Sequence, residues 1–232
     1  GTLTNGSTRT IGKIGQGLSF DGVDDYVDVG EIDLSGRSAF SFSAWIKRSV
    51  GGTDDIIVTK EEGGVDYPEY LFGVSNTNQA QFWFATVNSG AGWGTPIKSS
   101  ASIAAGRWYH IVGTYDGSNI RVYIDGSLDP NFPAARTGTP YNNNDNTWIG
   151  ATKNTPSPNI SHMNGLIDEV RVYNRALSPD EIKRLYRIGA STKSNTSINA
   201  GNISQGLVGY WDFTEGNMGT TSVSDLSGNG NT

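Results

Sequence analysis

Between residues 39 and 48 the chain alternates without a break. Phe40, Phe42, Ala44 and Ile46 fall on one side of an extended backbone, with Ser41, Ser43, Trp45 and Lys47 on the other. Period two is the mark of a strand with one face in a core. Further strand patterns occupy residues 26–29, 55–60, 70–75, 79–87, 108–115, 119–125, 148–151 and 166–173, most of them bounded by Gly, Asn, Asp or Pro. Asp116-Gly117 and Asp125-Gly126 are tight-turn signals between extended runs. Short strands at regular intervals predict an all-β, antiparallel two-sheet sandwich.

A single short helix interrupts this pattern. Ser178 is placed to cap it, Pro179 suits its first position, and Glu181 stands three residues after the cap. Ile182, Leu185 and Tyr186 then supply an apolar stripe at helical spacing, so a helix is expected over 178–188. The tract 189–205 that follows is rich in Ser, Asn, Thr and Gly and reads as a linker.

After that linker the strand pattern returns. Residues 206–213 read Gly-Leu-Val-Gly-Tyr-Trp-Asp-Phe, and residues 225–232 form a Gly- and Asn-rich turn. Residues 1–6, Gly-Thr-Leu-Thr-Asn-Gly, read as the continuation of that turn. The expected organisation is therefore a body over 1–188 that lacks its first strand, a linker over 189–205, and a displaced first strand with its turn over 206–232. An unpaired edge attracts a partner strand. Leu207, Tyr210, Trp211 and Phe213 would anchor the displaced strand, either in a neighbouring copy or in its own chain. With no initiator Met and no secretion leader, the sequence is expected to be a mature product, a repeat or a fragment.

Composition narrows the function classes. The 232 residues suit one large β domain and carry a formal net charge of −6, which argues against a nucleic-acid partner. Cysteine is absent, which excludes disulfides and thiol chemistry. No apolar run is long enough to insert into a membrane as a helix. Sequons fall at Asn5, Asn159, Asn195 and Asn202, in a chain where chance matches are expected.

Several segments together carry a resemblance. Residues 17–26 (GLSFDGVDDY), 40–46 (FSFSAWI), 106–116 (GRWYHIVGTYD), 120–126 (IRVYIDG) and 165–174 (GLIDEVRVYN), closed by the capped helix, resemble the laminin-G-like jelly rolls of the concanavalin A-like lectin/glucanase class. The likeness runs over residues 17–188 in the family's order. The family's opening segment resembles residues 206–231, which here stand at the other end. The resemblance implies a jelly-roll sandwich, an extracellular or cell-surface setting, and a glycan-binding or adhesive role in many relatives. It also implies a structural Ca²⁺ where the first and last strands meet, with Asp21 and Asp168 as side-chain ligands. Against that, Asp21 and Asp25 could simply close turns beside Gly22, and Asp168 could pair with Arg171.

Catalytic constellations are sparse. Glu31-Ile-Asp33-Leu-Ser-Gly36 nearly copies the E-x-D-x-x-E signature of jelly-roll glucanases, but Gly36 replaces the second carboxylate that retaining hydrolysis requires. His110 shares a strand face with Trp108 and Val112 and reads as a hydrogen-bonded structural residue, and His162 has no second histidine beside it. The chain is expected to be non-enzymatic. Trp93, Tyr67, Tyr70 and Tyr141 lie in or near loops and are the aromatic candidates for stacking on a sugar. Two roles remain: a filament or tandem-array module that joins copies of itself through the C-terminal strand, and a monomeric carbohydrate-binding or adhesion module.

Overall fold

The computed structural model describes residues 1–61, 68–86, 96–140, 144–152, 161–191, 203–214, 216 and 221–231. They form two antiparallel sheets and one helix. The first sheet runs, in spatial order, β1 (Thr2–Thr4), β4 (Tyr26–Asp28), β14 (Thr147–Ile149), β6 (Asp55–Glu61), β7 (Pro68–Val74), β8 (Gln79–Phe84) and β9 (Ile97–Ser102). The second runs β12 (Ser127–Leu128), β11 (Asn119–Ile124), β10 (Trp108–Tyr115), β5 (Phe40–Arg48), β15 (Asn164–Tyr173), β3 (Gln16–Asp21) and β2 (Thr8–Ile11). Two further strands join it: β13 (Ala134–Ala135) beside β11, and β16 (Leu207–Trp211) beside β15.

The alternation in β5 works as the sequence implies. Phe40 and Phe42 point between the sheets, where they meet Phe82 and Phe84 of β8 with ring centroids 5.1–5.7 Å apart. Such edge-on packing fills the interior with the strongest apolar groups available. Gly113 of β10 faces the same cluster, and a Cβ there would stand 2.7 Å from the Phe82 ring, so only glycine lets the sheets close. Arg48, at the end of β5, is fully buried yet satisfied. Its guanidinium donates to Asp55 at 2.5 Å, to Asn78 and to the carbonyls of Thr53 and Ile103.

The outer face of the second sheet is covered as well. Helix α1 (Pro179–Ala190) lays Ile182 and Leu185 onto Val112, Tyr123 and Tyr173, and Ile203 and Leu207 extend that cover. Ser178 caps the helix and Glu181 closes the capping box, as its sequence requires; the helix runs two residues past its expected end. Gly189 allows the last turn to lie on Trp45, where a Cβ would be 2.4 Å from the indole.

The displaced segment takes the second of its two expected destinations. β16 pairs with β15 of its own chain, with Val170 opposite Trp211 and Arg171 opposite Tyr210. Trp211 and Phe213 are each 1% exposed and belong to the main core, and Leu207 packs on the second cluster. β15 thus offers one edge to two partners, β3 along Asn164–Ile167 and β16 along Val170–Tyr173. Residues 221–223 then run beside β1: Val223 N–H donates to the Gly1 carbonyl at 2.7 Å, and Leu3 N–H to that of Thr221 at 2.9 Å. The front edge expected to await another copy is closed from within the chain. Strand donation between copies is therefore not needed to complete this sandwich.

Candidate functional site

Helix and tail cover the second sheet; on the outward face of the first, Thr59 and Trp83 are buried, while Tyr26 and Trp148 keep part of their surface exposed. Val27 and Ile149 point into the core, so their neighbours Tyr26 and Trp148 point outward by strand alternation. Their rings stack with centroids 4.1 Å apart and planes 17° from parallel. Both residues are half-buried, with part of the pair left to solvent. Directly across from Trp148 in the ladder stands Asp28, which accepts a 2.9 Å hydrogen bond from the Asn146 amide. The result is an aromatic surface with an oxygen acceptor and an amide at its border. Sequence reasoning placed both residues in strands and named neither as an aromatic candidate; their shared outward face depends on the pairing of β4 with β14, which no local pattern displays.

The four aromatic residues expected to be exposed fare differently. Tyr70 lies in β7 and is 0% exposed, its hydroxyl held 2.6 Å from Thr147 Oγ1 and donating to the Ile32 carbonyl. It shares the inward face with Phe72 and Val74, so it is a core residue and not a ligand contact. Tyr67, Trp93 and Tyr141 lie outside the described residues.

The carboxylates separate into two groups. Asp21, Asp24 and Asp25 gather at the turn between β3 and β4, each offering an oxygen within 4.8 Å of the others. Asp21 Oδ1 accepts from Val23 N–H and Asp25 Oδ2 from Asp21 N–H, the turn-closing bonds that this sequence suggests. Burial raises the Asp25 carboxyl above its ordinary range; the charges of Asp21 and Asp24 add to the rise and the Asp21 N–H opposes it. His162 is half-buried beside the three, its pKa lowered by burial against the pull of their charges.

Asp168 does not join them. In the ladder Asp21 faces Asn164, which puts Asp168 four residues further on, about 13 Å along the strand. Its Oδ2 is already engaged by Lys13 N–H at 2.8 Å and Ile14 N–H at 2.9 Å. Burial lifts its carboxyl to about 8, the Ile14 and Lys13 donors opposing and the Glu169 charge adding. About 13 Å apart along the ladder, Asp21 and Asp168 cannot both reach one metal ion.

The alternative partner for Asp168 is also corrected. Arg171 pairs instead with Glu169, and its guanidinium lies 4.1 Å from the Tyr210 ring, whose hydroxyl donates to Glu169 at 3.1 Å. The cause is a β-bulge between Asp168 and Arg171, with Glu169 at φ 56°. Behind this belt His110 is buried, its Nε2 3.0 Å from Ser43 Oγ, and burial, with the Arg171 charge, holds its pKa near 3. The structural role expected of it fits this environment.

The glucanase-like stretch is occupied by local contacts. Glu31 accepts from Lys60 at 3.3 Å and Asp33 from Ser35 N–H at 2.8 Å, both in the connection between β4 and β5. Sequence reasoning missed Asp225. Its two oxygens accept from the backbone N–H groups of Tyr210, Ser227 and Asn231 and from the side chains of Ser227 and Asn231, tying the final turn to β16. The only hint was the spacing Asp225, Ser227, Asn229, Asn231 in a glycine-rich tract.

Comparison with known proteins agrees with this architecture. No curated protein sequence matches the chain closely enough to serve as a relative. Among solved structures, a Bacteroides ovatus protein described as carbohydrate-binding superposes with a TM-score of 0.64 at 17% identity, over 92% of this chain and 56% of its own. Domain 4 of a GH43 extracellular arabinanase from Geobacillus stearothermophilus, solved with arabinotriose, gives 0.58 at 21% identity, over 78% of this chain and 82% of that one. The binding domain of Paraclostridial Mosquitocidal Protein 1 gives 0.59 at 15%, covering 80% of this chain and 46% of that one. At these identities the likeness establishes the fold alone, and the chain spans little more than half of the first of them. The profile of Laminin_G_3, the concanavalin A-like lectin/glucanases superfamily, matches residues 21–183. With the two-sheet jelly roll and its capped helix, that match places the chain in the Laminin_G_3 family.

Proposed function

We propose that this protein is a non-catalytic carbohydrate-binding module that works as a monomer, outside the cell or at its surface. The observation that carries the reading is the stacked, partly exposed Tyr26–Trp148 pair on the outward face of the first sheet, bordered by Asp28 and Asn146. A pyranose or furanose ring has apolar C–H faces that rest on an aromatic surface, while its hydroxyls seek donors and acceptors at the rim. Family membership and the carbohydrate-linked neighbours support the same direction. The local contacts of Glu31 and Asp33 support binding over hydrolysis.

The test is a glycan array probed with the full chain and with Trp148→Ala. Binding to at least one glycan class, weakened about tenfold or more by the substitution with an unchanged circular dichroism spectrum, is the expected result; tenfold corresponds to about 1.4 kcal/mol, the scale of one aromatic contact. Retention of full binding by the variant, or no binding by the wild-type chain to any glycan, would overturn the proposal.

A further inference from the structure

The groups around the Tyr26–Trp148 pair narrow what that pair can hold. Asp28 lies two residues beyond Tyr26 on the same outward face, directly across from Trp148 in the ladder. Its Oδ1 accepts from Gly30 N–H at 3.0 Å and its Oδ2 from the Asn146 amide at 2.9 Å. A carboxylate has room for about four donors, so this half-buried group keeps capacity for more at the edge of the rings. It can only accept. A ligand atom that meets it must carry a hydrogen, as a sugar hydroxyl does and a carboxylate or sulfate oxygen does not.

Little on the flanking strands offsets this charge. β1, β4 and β14 carry no basic residue. Thr2 and Thr4, opposite Asp28 and Tyr26, bring uncharged hydroxyls to the same face. Lys60 of β6 stands opposite Thr147 but is fully buried, its ammonium 2.9 Å from Glu69 and 3.3 Å from Glu31. The Gly1 ammonium feels the Asp28 charge, yet it donates to the Val223 carbonyl at 2.6 Å and feels Asp225 as well. More acid lies close in the chain, with Asp24 exposed two positions before Tyr26. An anionic sugar would give up hydration there in a field of its own sign.

We infer that the Tyr26–Trp148 surface takes neutral, hydroxyl-rich sugars and rejects those that bear carboxylate or sulfate groups, with Asp28 setting the choice. This rests on the glycan-binding reading and adds the substrate class to it. The rings supply an apolar contact that neutral and acidic sugars make equally well, so they do not discriminate. Asp28, held in position by Gly30 and Asn146, accepts from hydroxyls and repels anions, which is selection by an unfavourable element as well as a favourable one.

The experiment probes the full chain and Asp28→Asn with an array that sets neutral glycans beside charged counterparts: galactan beside polygalacturonate, xylan beside sulfated xylan, lactose beside sialyllactose. Wherever wild type binds a pair, it should hold the neutral member about tenfold or more tightly. Asp28→Asn, with an unchanged circular dichroism spectrum, should bring that preference below about threefold. Raising NaCl from about 0.02 to about 0.5 M should strengthen wild-type binding of the acidic members and leave the neutral ones unchanged, a readout that needs no variant. An acidic glycan bound by wild type as tightly as its neutral counterpart would overturn the inference and leave the glycan reading standing. So would a preference that neither Asp28→Asn nor salt alters. Absence of binding to every glycan would overturn the glycan reading, and this inference with it.

Discussion

Asp168→Asn isolates the energetic effect of one buried proton. In the folded chain the Asp168 carboxyl is pushed from 3.8 to about 8 by burial, with Lys13 and Ile14 N–H groups on one oxygen. The other groups nearby are the Glu169 carboxylate, the Arg171 guanidinium on the same bulge, and Lys13, whose ammonium rests 4.7 Å from the Trp45 ring. A raised carboxyl pKa means that the folded state keeps a proton the unfolded state has released. Its contribution is therefore full below about pH 4, falls as pH climbs toward 8, and is constant beyond. Between pH 5 and pH 8 the loss amounts to roughly 3–4 kcal/mol, at 1.36 kcal/mol per unit. Asparagine keeps an oxygen for the two N–H donors and cannot ionise. Urea unfolding of both proteins across pH 5–9 should show the variant gaining on wild type by that amount up to pH 8, with parallel curves above pH 9. Parallel curves throughout would refute the assignment of a neutral carboxyl at this site.

Two further outcomes follow from the tail and from His110. Trp211→Ala removes a fully buried indole from the main core and should cost about 3–5 kcal/mol in denaturant unfolding; wild type should elute as a monomer with light-scattering detection, and a concentration-dependent polymer would revive strand exchange between copies. His110 has its pKa lowered from 6.5 to about 3 by burial, so its contribution is full above pH 6.5 and drains away as pH falls toward 3. Between pH 7 and pH 4, His110→Gln should lose about 3 kcal/mol less stability than wild type, and an equal loss in both would exclude histidine protonation as the cause.

Most of the architecture was legible because its signals are local. Alternation in 39–48 placed β5, and the Ser178–Glu181 box placed α1. β9 escaped notice because Ile97–Ser102 is largely polar and half serine, with only Ile97 packed on the core. The site was much less visible. Strict alternation through β15 would put Asp168, Val170 and Val172 on one face, yet the bulge at Glu169 divides them and turns Asp168 away from the interior. Tyr70 was placed at the loop end of the expected 70–75 strand because a proline stands two positions before it, yet β7 already begins at Pro68. Tyr26 and Trp148 are separated by more than a hundred positions, and only pairing between β4 and β14 reveals them as one surface. The destination of 206–213 was open for a related reason: a strand's sequence specifies that it will pair, not with which copy of its partner.

The union of residues 221–223 with residues 1–3 has a temporal cost. During synthesis the amino-terminal stretch waits for partners that emerge more than two hundred residues later, as the contact between Gly1 and Val223 measures. Until residues 207–226 leave the ribosome, half of the β15 edge stands bare and the core lacks Trp211 and Phe213. Long-range closures of this kind slow the search for the native state and prolong the aggregation-prone interval. Holding factors that shield nascent chains would accordingly matter more for the yield of this protein than for a sandwich whose first-made strands pair first.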